Sequence, residues 1–157
     1  MTVTFLTVGK PTKGWAADAV AHYTKFLSKY AKVDIDHVKP VSGRDRTDAD
    51  VCHAESERIV DRLAPHKGAA VIVCDNRGQS STSEDFAGTV RDLLDTHGGH
   101  IVIIIGGACG VNETVLSRAA FLWSFGPMTL PHDLALITAM EQTARAFSID
   151  RGEAYHK

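Results

Sequence analysis

The run Ile101-Val102-Ile103-Ile104-Ile105 constrains the fold more than any other feature of the chain. Five consecutive β-branched residues are stiff at χ1 and favour a pleated strand over a helix. An unbroken apolar strand has no polar face to offer to water. Such a strand belongs at the centre of a parallel sheet, with helices covering both faces. His97-Gly98-Gly99 before it and Gly106-Gly107 after it are turn signals that bound it.

The segments around it alternate between strand and helix patterns. Residues 3–8 read as a strand ending at Gly9. Trp15, Ala19, Tyr23, Phe26 and Tyr30 recur at three- or four-residue spacing and predict a helix over 15–30. Residues 33–38 alternate as a half-buried strand, and the polar stretch 39–47, with Pro40 and Gly43, reads as a loop. Thr47 caps a helix running to about Ala64, where Pro65 stops it. Residues 70–75 form a buried strand; Ser81-x-x-Glu84 and Thr82-x-x-Asp85 compete to start a helix reaching about Thr96. Asn112 caps another helix to about Ala120, and 121–125 is a further short apolar run. Leu134, Ile137, Met140, Ala144 and Phe147 mark one face of a last helix, and the polar tail after it has no core pattern. This alternation predicts an α/β fold with a mainly parallel sheet flanked by helices. The chain of 157 residues is sized for one domain, 1–157.

Charge and cysteine usage narrow the function. A net charge of −2 argues against a protein that coats nucleic acid by charge alone. Residues 1–46 nevertheless hold eight Lys or Arg against four Asp, which suits either a local basic face or a solvated helix and loop. Cys52, Cys74 and Cys109 lie far apart with no C-x-x-C pair, so a disulfide framework and a metal site are both unsupported and a reducing cytosol fits. The longest stretch of apolar residues and glycine, 101–111, is too short to span a bilayer. The N-terminus lacks a basic region ahead of its apolar stretch and reads as a first strand, not a secretion signal. A cytoplasmic location is expected.

In open α/β sheets, ligands bind beyond the carboxyl ends of the strands. Three loops leave such ends: Cys74-Asp75-Asn76-Arg77-Gly78, Gly106-Gly107-Ala108-Cys109-Gly110, and Phe125-Gly126-Pro127-Met128-Thr129-Leu130-Pro131-His132. Three glycines in five residues let the second backbone approach a ligand closely. Both the phosphate-loop pattern and the dinucleotide G-x-G-x-x-G are missing, which favours a nucleotide-like ligand without phosphates over a phosphate cradle. A tight turn with no ligand is the plainer alternative. The third loop can present rigid main-chain groups to an adenine ring, or serve only as a turn before a helix. A cysteine-dependent hydrolase using Cys109 with His132 as base is a further reading, but Val111 stands where a nucleophile elbow needs glycine. A non-catalytic RNA-binding module is another.

The ordered set Ile105-Gly106-Gly107-x-x-Gly110, Met128-Thr129-Leu130-Pro131-His132, Glu141-Gln142 with Arg145-Ala146, and Tyr155-His156 resembles the rRNA large-subunit methyltransferase H family of the SPOUT superfamily. Val8-Gly9-Lys10 and the Cys-Asp-x-x-Gly segment at 74–78 fit as well, so the resemblance covers essentially the whole chain. It implies a SPOUT-type fold with a C-terminal trefoil knot, a rare exception to the usual connection rules. It implies a homodimer that uses S-adenosylmethionine, held by the knot. The implied reaction is N3-methylation of a pseudouridine in large-subunit (23S) rRNA on assembled ribosomes. Carried onto this sequence, the cofactor residues are Cys74, Gly106, Gly107, Phe125, Gly126, Pro127, Met128, Thr129 and Leu130. Cys74 replaces the family's Leu, Lys157 stands where some relatives have Arg, and Leu136 and Ala144 stand where many have Arg and Tyr.

Tyr155 and His156 match tail residues that the family needs for activity, and are the candidate catalytic pair. Histidine titrates near neutral pH, which suits removal of an N3 proton by His156 as well as RNA contact. Tyr155 can stack on a base. Lys10, Arg145, Arg151 and Lys157 are the candidate RNA-binding cations. The apolar stripe of the last helix, together with the resemblance, points to a dimer surface. The polar tail is expected to act on RNA and not to support the fold.

Overall fold

The computed structural model describes residues 1–11 and 14–156. Strands β1 (Thr2–Val8), β2 (Lys32–Val38), β3 (Ala70–Ser80), β4 (His100–Ile105) and β5 (Phe121–Ser124) form one sheet in the order β2-β1-β4-β3-β5. Every pairing is parallel. Their carboxyl ends therefore lie along one edge.

The β-branched run takes the central place its composition demands. Residues 101–105 of β4 are buried between β1 and β3. Alternate side chains serve opposite layers, as pleating requires. Ile101, Ile103 and Ile105 join the core beneath helices α1 (Gly14–Leu27), α3 (Ser83–Thr96) and α5 (His132–Asp150). Val102 and Ile104 join the smaller core beneath α2 (Asp48–Leu63) and α4 (Glu113–Leu116).

Local chemistry sets the helix starts. Thr47 Oγ1 accepts the Asp50 amide at 3.2 Å while Asp50 Oδ2 accepts the Thr47 amide at 3.1 Å, a reciprocal capping box. Of the two competing starts for α3, Thr82 takes the cap, accepting the Asp85 amide at 3.1 Å, and the Ser81 hydroxyl is buried without a partner.

Three features differ from the sequence expectation. α4 ends at Leu116 instead of near Ala120, because the Ala120 amide bonds to Val71 O at 2.8 Å and draws the chain into β5. β3 does not end at Asp75: it leaves the ladder after Cys74, rejoins it at Gln79, and pairs with Trp123 on both sides of the gap. The stripe on α5 is covered in part by its own chain: α5 packs between α1 and α3 with Met140, Ala144 and Phe147 buried, whereas Ile137 is half-buried and Leu134 is 41% exposed. Its later turns are core, and its first turn, at Leu134, faces solvent. Among the described residues no helix is long and apolar enough to cross a membrane.

Candidate active site

The interruption of β3 shapes the site. Residues 75–78 swing out over the sheet's carboxyl edge, and Gly78 backs directly onto β5. A β-carbon there would sit 2.5 Å from Leu122 O and 2.7 Å from the Trp123 amide nitrogen, so only glycine permits this approach. The excursion is braced from within. Arg77 Nε and Nη2 donate to the two Asp75 carboxylate oxygens at 2.7 and 2.9 Å, and Nη2 also reaches Val111 O at 3.0 Å. These bonds to Arg77 hold Asp75 below the ordinary carboxylate range against the opposing effect of burial. One side chain thus ties the β3 loop to the loop after β4.

Beside it, the loops after β4 and β5 complete a cleft of about 970 Å³. All nine residues expected to hold a cofactor line it: Cys74, Gly106, Gly107 and the unbroken stretch 125–130. Asp75, Arg77, Cys109 and His132 line it too. Gly107 accepts the Gly110 amide at 3.0 Å, which closes the glycine loop into a tight turn. Ser124 Oγ accepts the Gly126 amide at 3.2 Å and pins the start of the β5 loop. Phe125, Pro127, Met128 and Leu130 give that loop apolar walls, and Met128 is 73% exposed at the rim. Apolar walls with free main-chain groups between them suit a purine nucleoside, and the glycine loop leaves room for an unphosphorylated extension. The donor set fits S-adenosylmethionine. Among the described residues no group of His, Cys, Asp or Glu side chains is placed to hold a metal.

Cys109 and His132 share the cleft, yet no hydrogen bond joins them among the described residues. Burial, followed by Asp48 and Glu55, pushes the Cys109 thiol up, the reverse of what an activated nucleophile needs. His132 Nε2 lies 3.1 Å from Asp133 Oδ1 instead, close enough for charge interaction but without hydrogen-bond alignment. Cys74 is likewise pushed up by burial.

The candidate catalytic pair lies elsewhere on this chain. After α5 the tail turns, with Glu153 bonded to Ser148 O at 2.9 Å and to the Tyr30 hydroxyl at 2.5 Å, and then doubles back along the helix. Tyr155 packs on Phe26 at 4.9 Å between ring centroids and lies under the Arg145 guanidinium at 4.8 Å. Burial and the bond to Glu141 raise its pKa to about 12, so the phenol stays protonated at neutral pH. His156 Nε2 meets Glu84 Oε1 at 2.9 Å, and Nδ1 lies 3.4 Å from Arg145 Nη1. Neither tail residue lines the cleft.

The candidate RNA-binding cations are dispersed. Arg145 is committed to Glu141, with Nη2 to Oε1 at 2.6 Å, so its charge is already paired. Arg151 stacks over Tyr30 at 4.8 Å. Lys10 is exposed just past the carboxyl end of β1, on the cleft edge of the sheet. Lys157 lies outside the described residues. The polar loop after β2 adds Lys39, Arg44 and Arg46 along that same edge, all exposed; they belong to the basic stretch 1–46 that suits a local basic face or a solvated helix and loop.

A family model described as "Predicted SPOUT methyltransferase" matches residues 1–156. The chain belongs to the SPOUT methyltransferase family. Among its curated relatives, this SPOUT methyltransferase is 38% identical over 162 residues to "Ribosomal RNA large subunit methyltransferase H" of Bifidobacterium adolescentis, covering 100% of both chains. The proteins of the same name from Bacillus pumilus and Clostridium beijerinckii are 38% and 35% identical, again over 100% of each chain. Among solved structures, a probable methylase family protein from Haemophilus influenzae superposes with a TM-score of 0.58 at 15% identity, covering 99% of this chain and 70% of that one. A probable methyltransferase from Bordetella pertussis gives 0.56 at 16% identity over 93% of each chain. These two likenesses concern the fold.

Proposed function

We propose that this protein transfers a methyl group from S-adenosylmethionine to N3 of a pseudouridine in large-subunit (23S) rRNA, on assembled ribosomes, as a cytoplasmic homodimer with one domain over 1–157. The observation that carries the reading is the gathering of Cys74, Gly106, Gly107 and residues 125–130 on one cleft at the carboxyl edge of a parallel sheet. The rRNA substrate is supported by full-length relatives named as rRNA large subunit methyltransferase H at 35–38% identity. The trefoil knot is the connection the family implies for the segment that carries the β5 loop and α5.

When bound, S-adenosylmethionine supplies a methyl carbon on a positively charged sulfur, which keeps the C–S electron pair as N3 of the base takes the carbon. The chain's own residues position the partners and move one proton. Residues 125–130 hold the adenosine through apolar walls and main-chain groups, and the glycine loop holds the amino-acid end. Alignment of this kind can supply roughly 7–11 kcal/mol. His156 accepts the N3 proton, Tyr155 stacks on the target base, and Lys10, Arg151 and Lys157 hold phosphates, while Arg145, paired with Glu141, braces the Tyr155 ring. The tail lies away from its own cleft, which favours delivery of Tyr155 and His156 to the partner's cleft in a dimer. Each site is then composite.

The test is incubation with whole ribosomes and methyl-labelled S-adenosylmethionine, followed by nuclease digestion and mass spectrometry of the labelled nucleoside. The reading requires label in N3-methylpseudouridine from the large subunit. Label in another nucleoside, or none, contradicts it. Sedimentation of the active protein should show one species near twice 17.0 kDa, and a fully active monomer contradicts the composite site.

A further inference from the structure

Glu55 is a buried carboxylate that the cofactor reading leaves unused. It sits on the inward face of α2 between Val51 and Ile59 and is only 4% exposed. Its Oε1 accepts the Val41 amide at 2.9 Å. Its Oε2 is buried with no hydrogen-bond partner. Among the described residues Glu55 enters no ion pair. A carboxylate in this position carries a desolvation cost that, among the described residues, only the Val41 amide offsets.

The free oxygen points at the cofactor loop. A β-carbon on Gly107 would collide with Glu55 Oε2 and lie 3.2 Å from its Cδ, so the carboxylate presses on the backbone from behind the cleft wall. Its field crosses that wall: Glu55 is among the groups that raise the thiol of Cys109, a cleft residue. Of the other carboxylates near this wall, Asp75 is neutralised by Arg77 and Asp48 is exposed to solvent. Among the described residues Glu55 is the buried carboxylate without a counterion beside Gly107.

We propose that Glu55 makes the cleft prefer the sulfonium donor, S-adenosylmethionine, over its product, S-adenosylhomocysteine. The inference rests on the reading of the cleft as the cofactor site. Donor and product share the adenosine and amino-acid parts and differ by one methyl group and one positive charge at sulfur. Apolar walls and main-chain contacts hold both alike, whereas an unpaired buried carboxylate favours the form with the extra positive charge. Loss of that charge on methyl transfer loosens the product and clears the cleft for the next donor.

The test is calorimetric titration of wild type and Glu55→Gln with S-adenosylmethionine, S-adenosylhomocysteine and sinefungin, an unreactive analogue with an amine in place of the sulfonium methyl. Glutamine keeps the volume and the acceptor for Val41 and removes only the charge. Affinity for the donor and for sinefungin should fall about tenfold, with S-adenosylhomocysteine changed less than twofold. Equal losses for all three ligands, or no loss, overturn the proposal. Should Glu55→Gln fail to fold, Glu55→Asp retains the charge and must retain the donor-to-product preference; collapse of that ratio overturns it as well. A wild type that binds none of the three removes the cofactor reading itself, an outcome distinct from a wild type that binds them without preference.

Discussion

Tyr155 donates its phenolic hydrogen to Glu141 Oε1 at 3.1 Å, onto the same oxygen that Arg145 Nη2 reaches at 2.6 Å. The tail is therefore fastened to the middle of α5, and it is not the free polar end that its composition suggests. Deleting residues 155–157 removes this bond, the ring packing on Phe26 and the cation over the ring. The cost is about 1–2 kcal/mol, read as a melting temperature lower by about 2–8 °C. Affinity for S-adenosylhomocysteine should be unchanged and methyl transfer to ribosomes abolished. His156→Ala should reduce turnover by about 10²–10⁴-fold with ribosome binding retained if the imidazole is the base. Loss of binding instead assigns it to RNA contact.

Gly78 is the position where β3 can least tolerate a side chain. Gly78→Ala forces its methyl group into the Leu122 carbonyl, so β5 must shift away from β3. We expect a loss of about 1–3 kcal/mol by denaturant unfolding, together with weaker S-adenosylhomocysteine binding. Gly88, within α3, has nothing within 4 Å of an added β-carbon. Gly88→Ala should instead stabilise by about 0.5–1 kcal/mol. Equal effects at the two sites would contradict the account of the bulge.

Much of this architecture was legible in local signals. The β4 run, the Thr47 cap and the three loops at strand ends are all properties of short stretches. What was not legible depends on distant partners. Nothing within 70–80 says that the strand leaves its ladder and returns, because the reason is the backbone of Leu122 and Trp123. Gly107 reads as a place for a ligand to approach, yet its missing β-carbon faces Glu55 and Val8. A sequence clue existed for Glu55: it is a charged residue on the face of α2 that also carries Val51 and Ile59. The α5 stripe could not by itself distinguish a dimer face from a helix wedged between α1 and α3.

Arg77 joins the β3 loop to the β4 loop through Asp75 and Val111. Asp75 is held below the ordinary carboxylate range, so its contribution to stability is present above the unfolded value and is lost as pH falls through the lowered folded one. Arg77→Met should lower stability at neutral pH, with the gap to wild type narrowing as pH falls through the Asp75 range in thermal unfolding across a pH series, and should weaken S-adenosylhomocysteine binding. An unaltered pH profile would show that the pair does not brace the loop.

Cys109 lies in the cleft with its thiol pushed up by burial and by Asp48 and Glu55. Slow alkylation by iodoacetamide at neutral pH is expected, and Cys109→Ala should keep most methyl transfer. Complete loss of transfer, with fold and cofactor binding intact, would favour the cysteine-dependent reading.

The cofactor assignment is tested most directly by backbone amide NMR of the full chain during titration with S-adenosylhomocysteine. The account predicts saturable shifts concentrated at Cys74, Gly106, Gly107 and residues 125–130 (Pro127, without an amide proton, excepted). Absence of binding, or shifts centred on another part of the surface, would contradict it.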